Sequence, residues 1–175
     1  LGDVYKRQVY TPLHGTGNIP ARRVMKEIGF THVYVVPEQE LPDGDFPTVS
    51  YPNPEAKEAF DLGLKLAKEK NADLVLATDP DADRLGVYVK DTKSGEYIPL
   101  TGNMSGSLLC EYVLSQKQAA GKIPADGQVV KSIVSTNLID AVAKAYGAEL
   151  IEVITGFTWI GKQILKNETT GHGTY

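Results

Sequence analysis

Apolar and polar positions along this chain alternate between two periods. Val9 to Leu13, His32 to Val36 and Ala72 to Thr78 are short apolar runs that predict strands. Between them, Pro20 to Gly29 reads as a helix with proline in its first turn and glycine at its end. Glu55 to Lys70 reads as a longer one, with Ala59, Leu62 and Leu66 at helical spacing. Leu85 to Leu100 alternates on both sides of Lys93-Ser94-Gly95, which predicts a β-hairpin rather than another crossover. A helix follows from Thr101-Gly102-Asn103 to about Gln118, and its Leu108, Leu109 and Val113 are expected in the core. The remainder repeats the alternation: strand Val129 to Thr136, helix Asn137 to Gly147, strand Ala148 to Ile154, then a loop and helix from Thr155 to Asn167, against which Trp159 and Ile160 are expected to pack. The pattern predicts an α/β protein: two consecutive α/β modules with mixed, mainly parallel sheets sandwiched by helices. Val9 to Pro37 and Ile133 to Thr155 share the order strand, threonine, helix, glycine, strand. Either this order marks two copies of one module with a boundary near Leu100, or any two βαβ units would show it.

Composition narrows the function classes. The 175 residues are 42% hydrophobic with a formal charge of −4, an ordinary globular balance. Lysines and arginines are scattered, so no basic stripe invites a nucleic-acid backbone. Cys110 is the only cysteine, which excludes an internal disulfide framework and points to a reducing, cytoplasmic setting. No apolar run approaches the roughly 20 residues a spanning helix needs, so no membrane partner is expected. Asn167-Glu168-Thr169 reads as a chance sequon. Both ends read as cut. Residues 1–8, Leu1 to Gln8, resemble the translated end of a transposase adaptor used to fragment DNA for sequencing, and are set aside as an adaptor scar. Thr174-Tyr175 stops where a strand could begin.

The densest chemistry is Ala77 to Val87, ATDPDADRLGV. A strand ending at Thr78 delivers Asp79, Asp81 and Asp83 to its carboxyl end, where open α/β sheets commonly bind ligands. Carboxylates that close repel one another unless a divalent cation compensates, and Mg²⁺ in phosphate chemistry is held by a few carboxylates with water or substrate oxygen. A solvated polar turn is the bland alternative. An EF-hand is excluded, because its sixth and twelfth positions would be Arg84 and Lys90 rather than glycine and glutamate. A haloacid-dehalogenase-like phosphatase or phosphotransferase with Asp79 as nucleophile is a second possibility. Gly15-Thr16-Gly17 has two glycines of a dinucleotide fingerprint but Pro20 where the third belongs, which disfavours a nucleotide site.

Asp79-Pro80-Asp81-Ala82-Asp83-Arg84 resembles the metal loop of the α-D-phosphohexomutases, the phosphoglucomutase and phosphomannomutase family. Other segments resemble the same family in order: Thr11 to Val24 the opening of its second domain, Pro99 to Leu114 the entry to its third, and Val134 to Gly161 the third-domain core. The resemblance implies that residues 9–100 form domain 2 and residues 101–175 a C-terminally truncated domain 3. It further implies reversible transfer of a phosphoryl group between the 1- and 6-positions of a hexose phosphate, through a phosphoserine and a 1,6-bisphosphate. Glucose 1-phosphate and glucose 6-phosphate are the implied substrates, because Thr155 to Gly161 is similar to the phosphoglucomutase branch. Asp79, Asp81 and Asp83 would hold Mg²⁺, Arg84 would contact phosphate or sugar, Thr155 and Gly156 would touch substrate, and His14 would face the cleft. No serine here has the family's phosphoserine context, so that residue is expected upstream and the isolated fragment is expected to be inactive. A metal-binding module without activity of its own is the non-catalytic alternative.

Overall fold

The computed structural model describes residues 5–123 and 126–175; Leu1 to Val4 of the adaptor-like stretch lie outside the described residues. The chain divides into two compact units, the first ending at Gly102 and the second running from Asn103 to Tyr175.

In the first unit, β1 (Gln8–Thr11), α1 (Asn18–Glu27) and β2 (Val33–Val35) precede a long loop, and α2 (Asp61–Lys70) leads into β3 (Leu74–Thr78), β4 (Leu85–Lys90) and β5 (Tyr97–Leu100). The sheet order is β2-β1-β3-β4-β5. β1 lies parallel to β2 and β3, while β4 and β5 add antiparallel as the hairpin foreseen from the alternation of Leu85 to Leu100. Val9, Leu13, Val36, Phe60, Val75 and Ala77 form the core. The Phe60 ring packs on Tyr88 at 4.6 Å between centroids, and β4 passes close enough to the loop that a Cβ at Gly86 would stand 2.3 Å from the Pro54 carbonyl oxygen. Only glycine fits at that crossing.

The second unit holds α3 (Gly102–Ala119, starting at the boundary), β6 (Gln128–Ser132), α4 (Leu138–Ala145), β7 (Glu149–Val153) and α5 (Phe157–Thr170). β6 and β7 are parallel, and Thr174 bridges to Gln128 on the other edge of β6. Leu114, Val129, Ile139, Ala143 and Ala148 make the core. Each unit thus contains a parallel βαβ whose helix is followed by a glycine with positive φ, Gly29 at 101° and Gly147 at 71°, the conformation glycine adopts without strain.

Several expectations are corrected. Leu108 and Leu109 are 59% and 61% exposed and Val113 is also exposed; α3 instead buries Ser107 and Leu114, which lie two turns apart on the opposite stripe. Trp159 sits in the first turn of α5 and is 42% exposed, with Lys162 Nζ 4.3 Å above its ring. The helix expected from Glu55 starts as a 3₁₀ turn at Lys57–Phe60 and becomes α-helical at Asp61. β6 stops at Ser132, because Ser135 N donates to Ser132 O and turns the chain out, leaving Ile133 and Val134 exposed. Gln8, set aside with the adaptor-like residues, is the first residue of β1 and is buried. A ladder uses backbone groups that any residue but proline supplies, and Gln8 N donates to His32 O at 2.8 Å. Asn167 is buried and donates its side-chain amide to Thr174 Oγ1 at 2.7 Å, so the sequon is not presented to solvent. Among the described residues, no helix is long and apolar enough to cross a membrane.

Candidate metal centre

β1 and β3 are adjacent and parallel, with Thr11 opposite Ala77, so the loops that follow them leave the same edge of the sheet. The loop after β3 carries the aspartates. Asp79 is fully buried, whereas Asp81 and Asp83 are exposed, and a carboxylate oxygen of each lies within 4.8 Å of the others. Ala82, at φ 60°, turns the loop back on itself, and its N–H donates to Asp79 O at 3.0 Å.

Arg84 ties the loop closed. Its backbone N–H donates to Asp79 Oδ1 at 3.0 Å and its Nε to Oδ2 at 2.7 Å, and Nε is also 3.7 Å from Asp83 Oδ1. Burial is the largest single influence on Asp79 and pushes its carboxyl up, but the Arg84 hydrogen bonds and charge together outweigh it and leave the carboxyl below the ordinary aspartate range. The charge of Asp81 does the opposite to Asp83, raising it. The donors are hard oxygens, one buried and two exposed to solvent, which suits a small divalent cation that keeps some of its water. Each Asp79 oxygen accepts from Arg84 and retains a lone pair for a cation, while the pairing reduces its strength as a nucleophile.

The loop after β1, Pro12 to Gly17, packs beneath these carboxylates. Thr16 N and Thr16 Oγ1 both donate to Pro80 O, at 2.8 and 3.0 Å. A Cβ at Gly15 would fall 2.4 Å from Pro80 Cα, and one at Gly17 would fall 2.6 Å from Thr78 Oγ1 and 3.2 Å from Ala82 Cβ. The glycines that failed as a nucleotide fingerprint serve close approach to the acidic loop.

His14 is buried, and its ring points into a chain of hydrogen bonds. Nδ1 lies 3.3 Å from Leu41 O, which can only accept, so Nδ1 donates there, and Nε2 hydrogen-bonds with Thr48 Oγ1 at 2.8 Å. Gln39 Nε2 donates to Thr48 Oγ1, Thr11 Oγ1 donates to Gln39 Oε1, and Leu13 N donates to Thr11 Oγ1. With Leu13 at φ 47° and His14 at φ 59°, this network holds a strained bend. Sequence reasoning missed Gln39, Thr48 and Thr16, whose partners lie far along the chain and leave no periodic signal.

Thr155 and Gly156 belong to the second unit, where they leave the carboxyl end of β7 and are exposed. Gly156, at φ 127°, is the N-cap of α5, a conformation that L side chains rarely adopt. At the same sheet end Lys131 is buried, with Nζ 2.7 Å from Asp140 Oδ1 and 3.2 Å from Glu152 Oε2. It also reaches Asn137 Oδ1 at 3.3 Å, which binds β6, β7 and the start of α4 together.

Residues 6–95 match the model of phosphoglucomutase/phosphomannomutase α/β/α domain II, and residues 101–173 that of domain III. A probable phosphomannomutase of Haemophilus influenzae is 44% identical over 154 residues, covering 88% of this chain and 30% of that protein. The phosphoribomutase of Saccharomyces cerevisiae is 40% identical over 171 residues, covering 94% of this chain and 28% of that protein. The chain therefore spans less than a third of the curated relatives it matches. A crystal structure of a phosphoglucomutase/phosphomannomutase family protein from Burkholderia thailandensis superposes with a TM-score of 0.69 at 25% identity, over 97% of this chain and 33% of that one. Aspergillus fumigatus N-acetylphosphoglucosamine mutase, solved in complex with GlcNAc-6P and magnesium, shares the fold at a TM-score of 0.59 and 14% identity, over 92% of this chain and 30% of that one.

Proposed function

This chain belongs to the phosphoglucomutase/phosphomannomutase family, and from that premise we propose that it is the metal-loop portion of a Mg²⁺-dependent sugar phosphomutase. The reaction is transfer of a phosphoryl group between the 1- and 6-positions of a hexose phosphate by way of a phosphoserine and a 1,6-bisphosphate, with glucose as the sugar. The observation that carries this reading is the convergence of Asp79, Asp81 and Asp83 within 4.8 Å at the end of β3.

Asp79, Asp81 and Asp83 would hold the ion. When bound, Mg²⁺ supplies neutralisation of the charge that spreads over the transferring phosphoryl oxygens. Arg84 fixes Asp79 through its backbone N–H and Nε, which orients the buried ligand and leaves the outer edge of a permanently charged guanidinium for a phosphate. Thr155 and Gly156 would contact the substrate, the exposed backbone N–H of Gly156 offering a donor without a side chain in the way. His14 is assigned to holding the neighbouring bend, not to the cleft. The phosphoserine would come from a part of the longer protein outside this chain. An aspartyl phosphate on Asp79 is disfavoured by the pairing of both its oxygens with Arg84.

The test is made on the longer protein that contains this chain. Conversion of glucose 1-phosphate to glucose 6-phosphate is expected to require Mg²⁺. Asp81→Asn is expected to lower kcat at least roughly 10²-fold, the scale of losing a metal-borne charge interaction. The phosphoenzyme should resist hydroxylamine, as a phosphoserine does and an acyl phosphate does not. Activity insensitive to metal chelation would sink the metal assignment, and a hydroxylamine-labile phosphoenzyme would sink the serine route. The ratio of kcat/KM for glucose, mannose and ribose 1-phosphates decides the sugar.

A further inference from the structure

We infer that the Gly15-Thr16-Gly17 loop positions the acidic loop for metal binding, with Thr16 as the clamp. The inference rests on the metal reading above and adds residues to it that touch neither ion nor substrate.

The acidic loop has little to hold its tip in place. It has Arg84 at its foot and the Ala82 N–H bond to Asp79 O, while Asp81 and Asp83 stand in solvent with carboxylate oxygens within 4.8 Å of each other. Pro80, between the buried ligand and the exposed ones, has no N–H of its own, so its carbonyl is the group by which the neighbouring loop can grip it. Thr16 donates to that one oxygen twice, from backbone and hydroxyl. Gly15 allows the approach, since any side chain there would overlap the Pro80 backbone, and Gly17 allows the approach to Thr78 and Ala82 on the other side. Tyr10 OH and Thr78 Oγ1, 2.8 Å apart, close the floor beneath.

The clamp is itself anchored. His14, the residue before Gly15, receives Asp43 N on its carbonyl and gives its N–H to Gln39 O, and its ring is fixed by Leu41 and Thr48. A rigid support therefore runs from residues 39–48 through His14 to Thr16 and Pro80. Ligands held in place before the ion arrives bind it more tightly, because less freedom is lost on binding.

Mn²⁺ affinity of the longer protein that contains this chain, read by calorimetry with the metal alone, tests this. Thr16→Val, which keeps the backbone bond and the shape, is expected to weaken Mn²⁺ binding about fivefold, the value of one hydrogen bond. Thr16→Ser, which keeps both bonds, is expected to restore it, and Gly15→Ala to weaken it further than Thr16→Val. Equal affinity in the unaltered protein and in Thr16→Val overturns the clamp, whatever happens to the thermal midpoint. Absence of Mn²⁺ binding by the unaltered protein overturns the metal reading and the clamp with it.

Discussion

At the scale of single residues, Gln8 in β1 and Asp79 just past the end of β3 are both buried polar groups, and they differ in what meets them. Asp79 has a hydrogen bond on each oxygen; Gln8 Oε1 is buried with no partner among the described residues. An unmatched buried carbonyl costs about 1–3 kcal/mol, so Gln8→Met, close in shape and free of that oxygen, is expected to raise unfolding stability by about 1 kcal/mol. Denaturant unfolding of the two chains checks this, and a midpoint lowered in Gln8→Met would mean that the side-chain amide is holding something. The aspartate triplet was legible in the sequence, because three carboxylates at alternate positions just after an apolar strand stand together at the strand's end; the turn at Ala82 that gathers them was not. Nor was its support. Thr16 reaches Pro80 across 64 positions and His14 reaches Thr48 across 34, and hydrogen bonds of that span follow from the fold rather than from any local pattern.

Among the elements, strands were read more securely than helix faces. β3, with its compact run of Leu74, Val75, Leu76 and Ala77, matches expectation closely, while α3 turns the opposite stripe inward. Apolar count alone does not choose the buried side of a helix. Lys131 is the element-scale feature that no pattern announced: a lysine within an apolar strand reads as an outward position, yet here it joins β6, α4 and β7. The hydrogen bond to Asp140, assisted by Glu152, raises its ammonium above the ordinary value against the effect of burial. A cation with a raised folded-state value stabilises fully below the unfolded value, near 10.4, and loses that contribution as pH rises through the folded value. Lys131→Met is therefore expected to be less stable than the unaltered chain at neutral pH, with the gap narrowing as pH climbs past about 10.5. Thermal melts of both chains between neutral and alkaline pH measure it; a gap independent of pH would assign the loss to packing.

For the whole chain, Val9 to Pro37 holds β1, α1 and β2, whereas Ile133 to Thr155 begins just past the end of β6 and holds only α4 and β7; the two units still share a parallel βαβ whose helix is followed by a positive-φ glycine. The carboxyl edge of each sheet carries the candidate chemistry: the acidic loop after β3 in the first unit, Thr155 and Gly156 after β7 in the second. One feature of the first sheet bears on conduct in concentrated solution. Its outer strands are short, β2 of three residues and β5 of four, and β5 carries Pro99 opposite Tyr88. An outer strand with unpaired amides recruits strands from other molecules, and a proline there removes one of the donors that such recruitment needs. Pro99→Val is accordingly expected to convert a quiet margin into an adhesive one, seen as concentration-dependent light scattering absent from the unaltered chain. If both chains scatter alike, the margin is protected by its shortness alone, and the proline is dispensable as a guard against self-association.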